Sequence, residues 1–326
     1  MTSPLSVLIL TSTPPEEVGS TAALIEQLGF GQLWVAEDYF FHGGFTAAAA
    51  ALQATVSIPV GIGIVAAVAR HPAVTAMEVA SLARTYPGRF SAGIGHGLPA
   101  WTEQMGLRDP RPLAVLEECI TGVRDLLAGR TVTRKGHRFT FREVTLVHPA
   151  QEEVPLLSGV IGPRSLELSG RIADGTIMSA LASTGYLRDA LGHVRKGMGE
   201  GGRAEHLTPV FALSSVSADR AEARAAIRPV LAFYLSALGA TNALTGALGY
   251  NHKLAELLEG GLEHLTKHLP DEWIDELVIA GDPTDVRARV ESFVAAGATS
   301  VVLSPINPAT AKDELHLVAK EVLPKL

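Results

Sequence analysis

The sequence predicts an α/β fold of the (β/α)8 (TIM) barrel type, and three observations carry that reading. Short apolar runs alternate with amphipathic helical patterns along the chain, eight such runs can be counted, and the composition supports one large core. Hydrophobic residues make up 47% of the 326 positions and charged residues 19%, so the chain has apolar surface enough to bury. A doubly wound sheet would use fewer strands and a separate second domain. The chain therefore reads as a single domain over 1–326 with two additions, an excursion at 131–149 after the fourth helix and a helical insertion at 217–277 between strands seven and eight.

The first strand is read at 6–10. Thr13-Pro14-Pro15-Glu16-Glu17 then opens a helix, with Thr13 as cap, proline in the first turn and acids at the positive helix end. That helix carries Ala22, Leu24, Ile25 and Leu28 and stops at Gly29; the second strand follows at 33–36. From Tyr39 to Ala69 no residue bears a formal charge. Gly43-Gly44, Gln53, Ser57, Pro59, Gly61 and Gly63 interrupt the stretch, whereas a membrane span needs roughly 20 consecutive apolar residues. It reads as a buried helix and then the third strand, 60–65. A helix over 72–84, a fourth strand at 90–94 and a helix over 112–127 come next.

The mixed, β-prone stretch 131–149 precedes a fifth strand at 154–158. The sixth strand is placed at 176–179, the seventh at 209–215 and the eighth at 300–304. The eighth lies behind a helix over 283–296 with Val286, Val290, Phe293 and Val294 on one face, and a helix over 310–323 ends the chain. The alanine-rich 217–277 stretch is too long for one crossover helix. Its Leu231, Phe233, Tyr234, Leu235 and Leu238 serve either the core or a subunit interface.

Twenty-seven Lys+Arg against 34 Asp+Glu leave a net charge of −7. No basic cluster is present, which argues against a nucleic-acid partner. Met1-Thr2-Ser3-Pro4-Leu5 lacks the basic region and apolar core of a secretion signal, and the chain is expected to be soluble and cytoplasmic. The single cysteine, Cys119, cannot form an internal disulfide, and it sits among Leu116, Ile120 and Val123 as a core residue. His42, His71 and His96 lack metal-ligand spacing, so no metal is expected. No G-x-S-x-G elbow occurs.

In a barrel the chemistry lies at the carboxyl ends of the strands. The second strand ends in Glu37-Asp38-Tyr39-Phe40-Phe41-His42, where neighbouring side chains point to opposite faces; one acid faces the mouth and the other a helix, unless both serve as cap or ion pair. The fifth strand runs into Gly159, Val160, Ile161, Gly162, Pro163, Arg164 and Ser165. Proline at a first helical position leaves free backbone N–H groups at a positive helix end, a ready anion site, the alternative being an ordinary capped turn. Gly93-x-Gly95-x-Gly97 lacks dinucleotide spacing, and its glycines instead admit a flat ligand or a neighbouring loop close to the backbone.

The stretch Gly61-Ile62-Gly63-Ile64-Val65-Ala66-Ala67-Val68-Ala69-Arg70-His71-Pro72 resembles the third-strand signature of the luciferase-like monooxygenase superfamily. Ala76-x-Glu78-x-Ala80-x-Leu82, Pro87-Gly88-Arg89-Phe90 running to Gly97, Trp101-x-x-Gln104-Met105-Gly106, Ala173-Asp174-Gly175 and Pro283-x-Asp285-Val286 fit it in the same order. The resemblance implies a (β/α)8 barrel with FMN or the deazaflavin F420 in its mouth. Val35-Ala36-Glu37-Asp38-Tyr39-Phe40 is most similar to the F420-dependent branch related to methylenetetrahydromethanopterin reductase.

That branch implies an oxidoreductase moving a hydride between C5 of F420 and an organic substrate. Two alternatives stand beside it: an FMN-dependent monooxygenase or reductase of the same superfamily, and a flavin-binding barrel without catalysis. By the same resemblance Gly63–Ile64 is a cis peptide in a bulge backing the ring, with Val65 beside it, and Gly159–Ser165 holds the cofactor phosphate. His96 falls where some FMN-using relatives place a phosphate-binding arginine. Asp38, Tyr39 and Glu103 are the candidates to position substrate or pass a proton. Tyr39 stands where many F420 enzymes have histidine, and Val65-Ala66-Ala67 replaces a polar continuation of the strand. Phe40, Phe41, Phe45 and Trp101 are read as mouth-lining, and a homodimer is expected.

Overall fold

The computed structural model describes residues 3–326; Met1 and Thr2, the start of the stretch read as lacking a secretion signal, lie outside the described residues. The strands are β1 (Leu5–Leu8), β2 (Leu33–Val35), β3 (Val60–Ala66), β4 (Phe90–Gly95), β5 (Val132–Lys135), β6 (Thr140–Val144), β7 (Leu156–Gly159), β8 (Gly175–Ile177), β9 (Pro209–Val216), β10 (Ile279–Gly281) and β11 (Ser300–Pro305). Nine of them form one parallel sheet in the order β10-β9-β11-β1-β2-β3-β4-β7-β8, while β5 and β6 form an antiparallel pair of their own. The near-continuous apolar runs of β3, β4 and β9 fit strands buried on both faces, as parallel strands covered by helices must be.

The sheet curls. Trp34, Leu157, Ile177, Phe211 and Val302, one each from β2, β7, β8, β9 and β11, pack together with Leu8 and Ile64 as the inner layer. Trp34 meets Phe211 edge-on at 5.4 Å between ring centroids. The larger core fills the space between the outer face and the helices, including Gly44–Ala54, Pro72–Thr85 and Pro112–Leu127. Bridges between Gly175 and Leu207 and between Met178 and Val210 bring the two sides of the curl together at β8 and β9.

Four expectations need correction. Thr13 does not cap: a 3-10 turn at Pro15–Glu17 precedes the helix Val18–Gln27, and its cap position is Pro14. Val294 is 43% exposed, because it lies at the edge of the stripe that buries Val286, Val290 and Phe293. A short helix, Pro99–Gln104, follows β4. The additional strand β10 lies between the helices Asp271–Leu277 and Pro283–Ala296 and pairs with β9, Ile279 opposite Ser214. Three residues are too few to show a strand period. Within 217–277, Leu231 and Leu235 are buried core, whereas Phe233 and Tyr234 are exposed by 58% and 40%.

Candidate active site at the carboxyl ends of the strands

The centre of this rim is a bulge. The β3–β4 register shifts between Ile62 and Val65, and the Gly63–Ile64 peptide is cis, as the resemblance implied; Tyr39–Phe40 is also cis. The bulge turns Ile64 across three glycines. A Cβ added at Gly159 would come within 2.6 Å of Ile64 Cγ2, one at Gly95 within 2.9 Å of Ile64 Cδ1, and one at Gly93 within 3.1 Å of Ile64 Cγ2. At Gly159 the Ile64 side chain is the nearest obstacle, whereas at Gly93 and Gly95 backbone carbonyls come closer still, that of Ile62 at 2.4 Å and that of Gly159 at 2.7 Å, so the neighbouring strands' backbone and Ile64 together leave no room for a Cβ. Val65 is buried beside it.

Beyond β7 the chain enters the helix Pro163–Ile172, with Gly162 at the cap position and proline first, as the sequence suggested. No side chain caps this start, and a Cβ at Gly162 would meet no atom within 4 Å. The loop is anchored from behind by Tyr186, whose hydroxyl donates to the Ile161 carbonyl at 2.6 Å, while Val160 is buried. His96, at the end of β4, lies with Nε2 3.4 Å from Ser165 Oγ, so two strand ends converge at the free N–H groups. Burial lowers the His96 pKa and keeps its imidazole neutral near pH 7. Arg164 and Pro163 are exposed next to it.

At the end of β2 the two acids do divide between faces. Glu37 is buried and forms a bidentate pair with Arg70, 2.6 Å to each nitrogen, and accepts the Gly44 N–H at 3.0 Å. Hydrogen bonding to Glu37 raises the Arg70 pKa further. Asp38 faces the other way, half-buried, and accepts from the Thr11 hydroxyl at 3.2 Å. Burial pushes the Asp38 carboxyl up from its ordinary range, partly opposed by Thr11 and His42.

Tyr39 is half-buried, its hydroxyl 3.5 Å from Glu37 Oε1 and its ring 6.2 Å from that of Trp101. Burial, followed by the Glu37 charge, holds its phenol at about 12. It is a donor at neutral pH and not a base.

Glu103 is not brought into this group. It is exposed and forms a surface pair with Arg108 at 3.2 Å, because its helix turns that face to solvent. Phe45 is also withdrawn from the mouth, buried with the Arg70 guanidinium 5.3 Å above its ring, while Phe40 and Phe41 are exposed. Arg70 is the residue that sequence reasoning missed. It stands inside the third-strand motif, and a lone arginine between Ala69 and His71 was the only signal. His71 caps the helix Pro72–Thr85 by accepting the Ala73 N–H on Nδ1. Cys119 is buried and its thiol is pushed up to about 12, consistent with packing alone. Among the described residues no three His, Cys, Asp or Glu side chains converge as for a metal ion.

A curled parallel α/β sheet gathers a glycine-lined bulge, an uncapped helix start and a half-buried carboxyl at the rim formed by the carboxyl ends of its strands. The chain belongs to the luciferase-like monooxygenase family, whose sequence model matches residues 3–300. It is 28% identical over 321 residues to the 5,10-methylenetetrahydromethanopterin reductase of Methanolobus tindarius, covering 96% of this chain and 97% of that one. Its fold matches that of the coenzyme F420-dependent tetrahydromethanopterin reductase of Methanopyrus kandleri, with TM-score 0.86, 23% identity and 99% of both chains covered. It also matches an F420-dependent secondary alcohol dehydrogenase, with TM-score 0.81, 20% identity and 99% and 98% coverage.

Proposed function

We propose that this protein is an F420-dependent oxidoreductase that moves a hydride between the deazaflavin C5 and an organic substrate. The observation that carries the reading is the convergence of His96, Ser165 and the uncapped start of Pro163–Ile172 beside the Ile64 bulge, in a chain whose fold matches that of a coenzyme F420-dependent tetrahydromethanopterin reductase over 99% of its length. The residues present fit such a group: Gly63, Ile64 and Val65 offer a flat apolar backing for a ring, and Gly159–Ser165 offers backbone N–H groups for a phosphate. When bound, F420 supplies the hydride-carrying carbon. The protein supplies orientation and a rim partly closed to water.

In this reading Asp38 holds or passes the accompanying proton, its carboxyl already shifted toward the protonated form by burial. Tyr39 donates a hydrogen bond, held in place by Glu37, which Arg70 positions in turn. The curled sheet acts as one closed (β/α)8 barrel, a single domain in which 131–149 and 217–277 are additions. The acidic net charge supports a small-molecule substrate and not nucleic acid. No helix among the described residues is long and apolar enough to cross a membrane. A cytoplasmic homodimer is the assembly proposed.

Absorbance and fluorescence titration of the purified protein with F420 and with FMN tests the cofactor. The expected result is saturable binding of F420 with weaker binding of FMN. Tighter FMN binding would favour the FMN-dependent alternative.

A further inference from the structure

The excursion 131–149 takes no part in the site proposed above, yet its turn is held between two carboxylates. β5 and β6 pair antiparallel and are joined through Gly136, whose N–H donates to the Phe139 carbonyl at 2.8 Å. From the helix Pro112–Leu127, Glu118 accepts the N–H groups of His137, Arg138 and Phe139, the last two at 3.1 and 3.2 Å. A Cβ at Gly136 would come within 2.5 Å of that carboxylate, so glycine is needed there. Phe139 and Phe141 are buried edge-on to His71, with ring centroids 5.4 and 4.9 Å away. Arg138 also donates to the Val68 carbonyl at 3.4 Å. The turn is therefore tied to the chain just beyond β3 and to the helix behind it.

The second carboxylate belongs to the mouth. Between β4 and Pro112–Leu127 the chain runs from His96 to Arg111 and carries the short helix Pro99–Gln104. Thr102 of that helix is buried, whereas Ala100, Glu103 and Gln104 are exposed, so apolar packing holds it only weakly. Asp109, further along, is turned inward with its side chain 8% exposed. One of its oxygens lies 2.8 Å from His137 Nε2 and accepts the Arg111 N–H at 2.8 Å; the other accepts from Arg138 at 3.3 Å. The Arg111 guanidinium meets His137 Nδ1. An arginine only donates, so Nδ1 is the acceptor and Nε2–H donates to Asp109.

We propose that the excursion is a clasp for one wall of the mouth. Its turn, fixed from behind by Glu118, holds Asp109 and so sets where the helix Pro99–Gln104 places Trp101 against Tyr39. The Trp101 ring is half-buried and meets that of Tyr39 edge-on, 6.2 Å between centroids. Asp109, His137 and Arg138 are positioning residues, acting on the mouth through the segment between Leu98 and Arg108. A wall tied by charge-assisted hydrogen bonds at its far end is able to open without disturbing the strands beneath it. The other end is fixed separately, at His96 beside Ser165. The proposal rests on the oxidoreductase reading only for what the wall encloses.

Hydrogen exchange and acrylamide quenching of tryptophan fluorescence test the clasp in the full-length protein. Trp34 and Trp273 are each 1% exposed, so the quenchable emission is that of Trp101, which Trp101→Phe checks. In Asp109→Ala and in His137→Ala the amides of 98–108 should exchange about tenfold faster, the scale of one charge-assisted hydrogen bond, while those of β3, β4 and β7 keep their wild-type rates. Quenching of Trp101 should rise in both. The double variant should go no further than Asp109→Ala, because both substitutions cut one contact. His137→Gln, which keeps a donor, should recover part of the protection. Wild-type exchange at 98–108 in a folded alanine variant, faster exchange spread evenly over the strands, or additive effects in the double variant would overturn the clasp. One folded alanine variant is enough to decide. An F420 titration of the wild-type protein runs beside these measurements; absence of binding there would overturn the cofactor reading and leave the exchange result standing, so the two failures are read separately.

Discussion

Carboxylates at the two rims of the sheet are completed to different degrees, Asp174 and Glu26 at one and Asp38 at the other. At the amino ends of the strands, Asp174 accepts from Arg124 at 2.8 Å, from Arg203 at 2.7 Å and from the Leu156 N–H at 2.9 Å. Glu26 accepts the N–H groups of Val56, Ser57 and Ile58 just ahead of β3. At the carboxyl ends, His42 has no partner among the described residues, Ser304 Oγ on β11 has none, and Asp38 accepts from Thr11 at 3.2 Å. A carboxylate completed by its own protein stabilises the fold, whereas one left part-completed beside a bulge is available to a ligand. Cavity size alone would mislead. A cleft of about 1000 Å³ lies at the amino rim, lined by Arg124, Arg130, Asp174, His206, Leu207 and Thr299, where the chemistry of such sheets does not reside.

Substitutions at the two carboxylates should separate the rims. Asp38→Asn is expected to lower turnover by about 10²-fold with little change in melting temperature, the scale of a missing acid/base group. Tyr39→Phe should cost less, because Tyr39 donates a hydrogen bond and exchanges no proton near neutral pH. Steady-state kinetics beside calorimetry checks both. Full activity in Asp38→Asn would make that residue structural and erase the distinction.

Asp174→Asn should do the reverse. It leaves Arg124 and Arg203 facing a neutral amide, and the half-buried pair should lose about 2 kcal/mol of stability, below the range for fully buried pairs. Its cofactor affinity should be unchanged. Denaturant unfolding with a parallel F420 titration measures the two effects in one preparation.

Much of the fold was legible because its signals are local. The helices Pro112–Leu127 and Pro283–Ala296 match the sequence reading at both ends, since proline marks each start and a glycine follows each helix closely. The division of Glu37 from Asp38 followed from strand parity. Arg70 was not legible as the partner of Glu37. The Arg70–Glu37 pair depends on how β3 and β2 end side by side. The triad of Gly93, Gly95 and Gly159 was legible in part, but its cause, the close approach of the Ile62 and Gly159 carbonyls and of the Ile64 side chain, is a packing fact that no spacing records.

The smallest effect expected is one of pH. Burial alone would raise the Glu26 carboxyl, but the backbone N–H groups of Ser57, Val56 and Ile58 hold it at about 2 against an ordinary 4.5. Its contribution to stability is therefore present above about pH 4.5 and is lost as the pH falls toward 2. Glu26→Gln should show a slightly shallower fall in melting temperature over that interval than wild type. Parallel slopes would mean that the carboxylate contributes nothing there.

The central claim, that the carboxyl rim holds F420 by its phosphate at Gly159–Ser165, is tested most directly by the F420 dissociation constant of Gly162→Asp. The structure has open space for the new side chain, and aspartate is a good cap for the helix Pro163–Ile172, so the variant should fold with unchanged or slightly raised stability. Its carboxylate would stand where the phosphate is to bind and would take up the same N–H groups. F420 affinity should fall about tenfold or more, the scale of one charge-assisted hydrogen bond replaced by a repulsion. A folded Gly162→Asp protein that binds F420 as tightly as wild type would contradict the account.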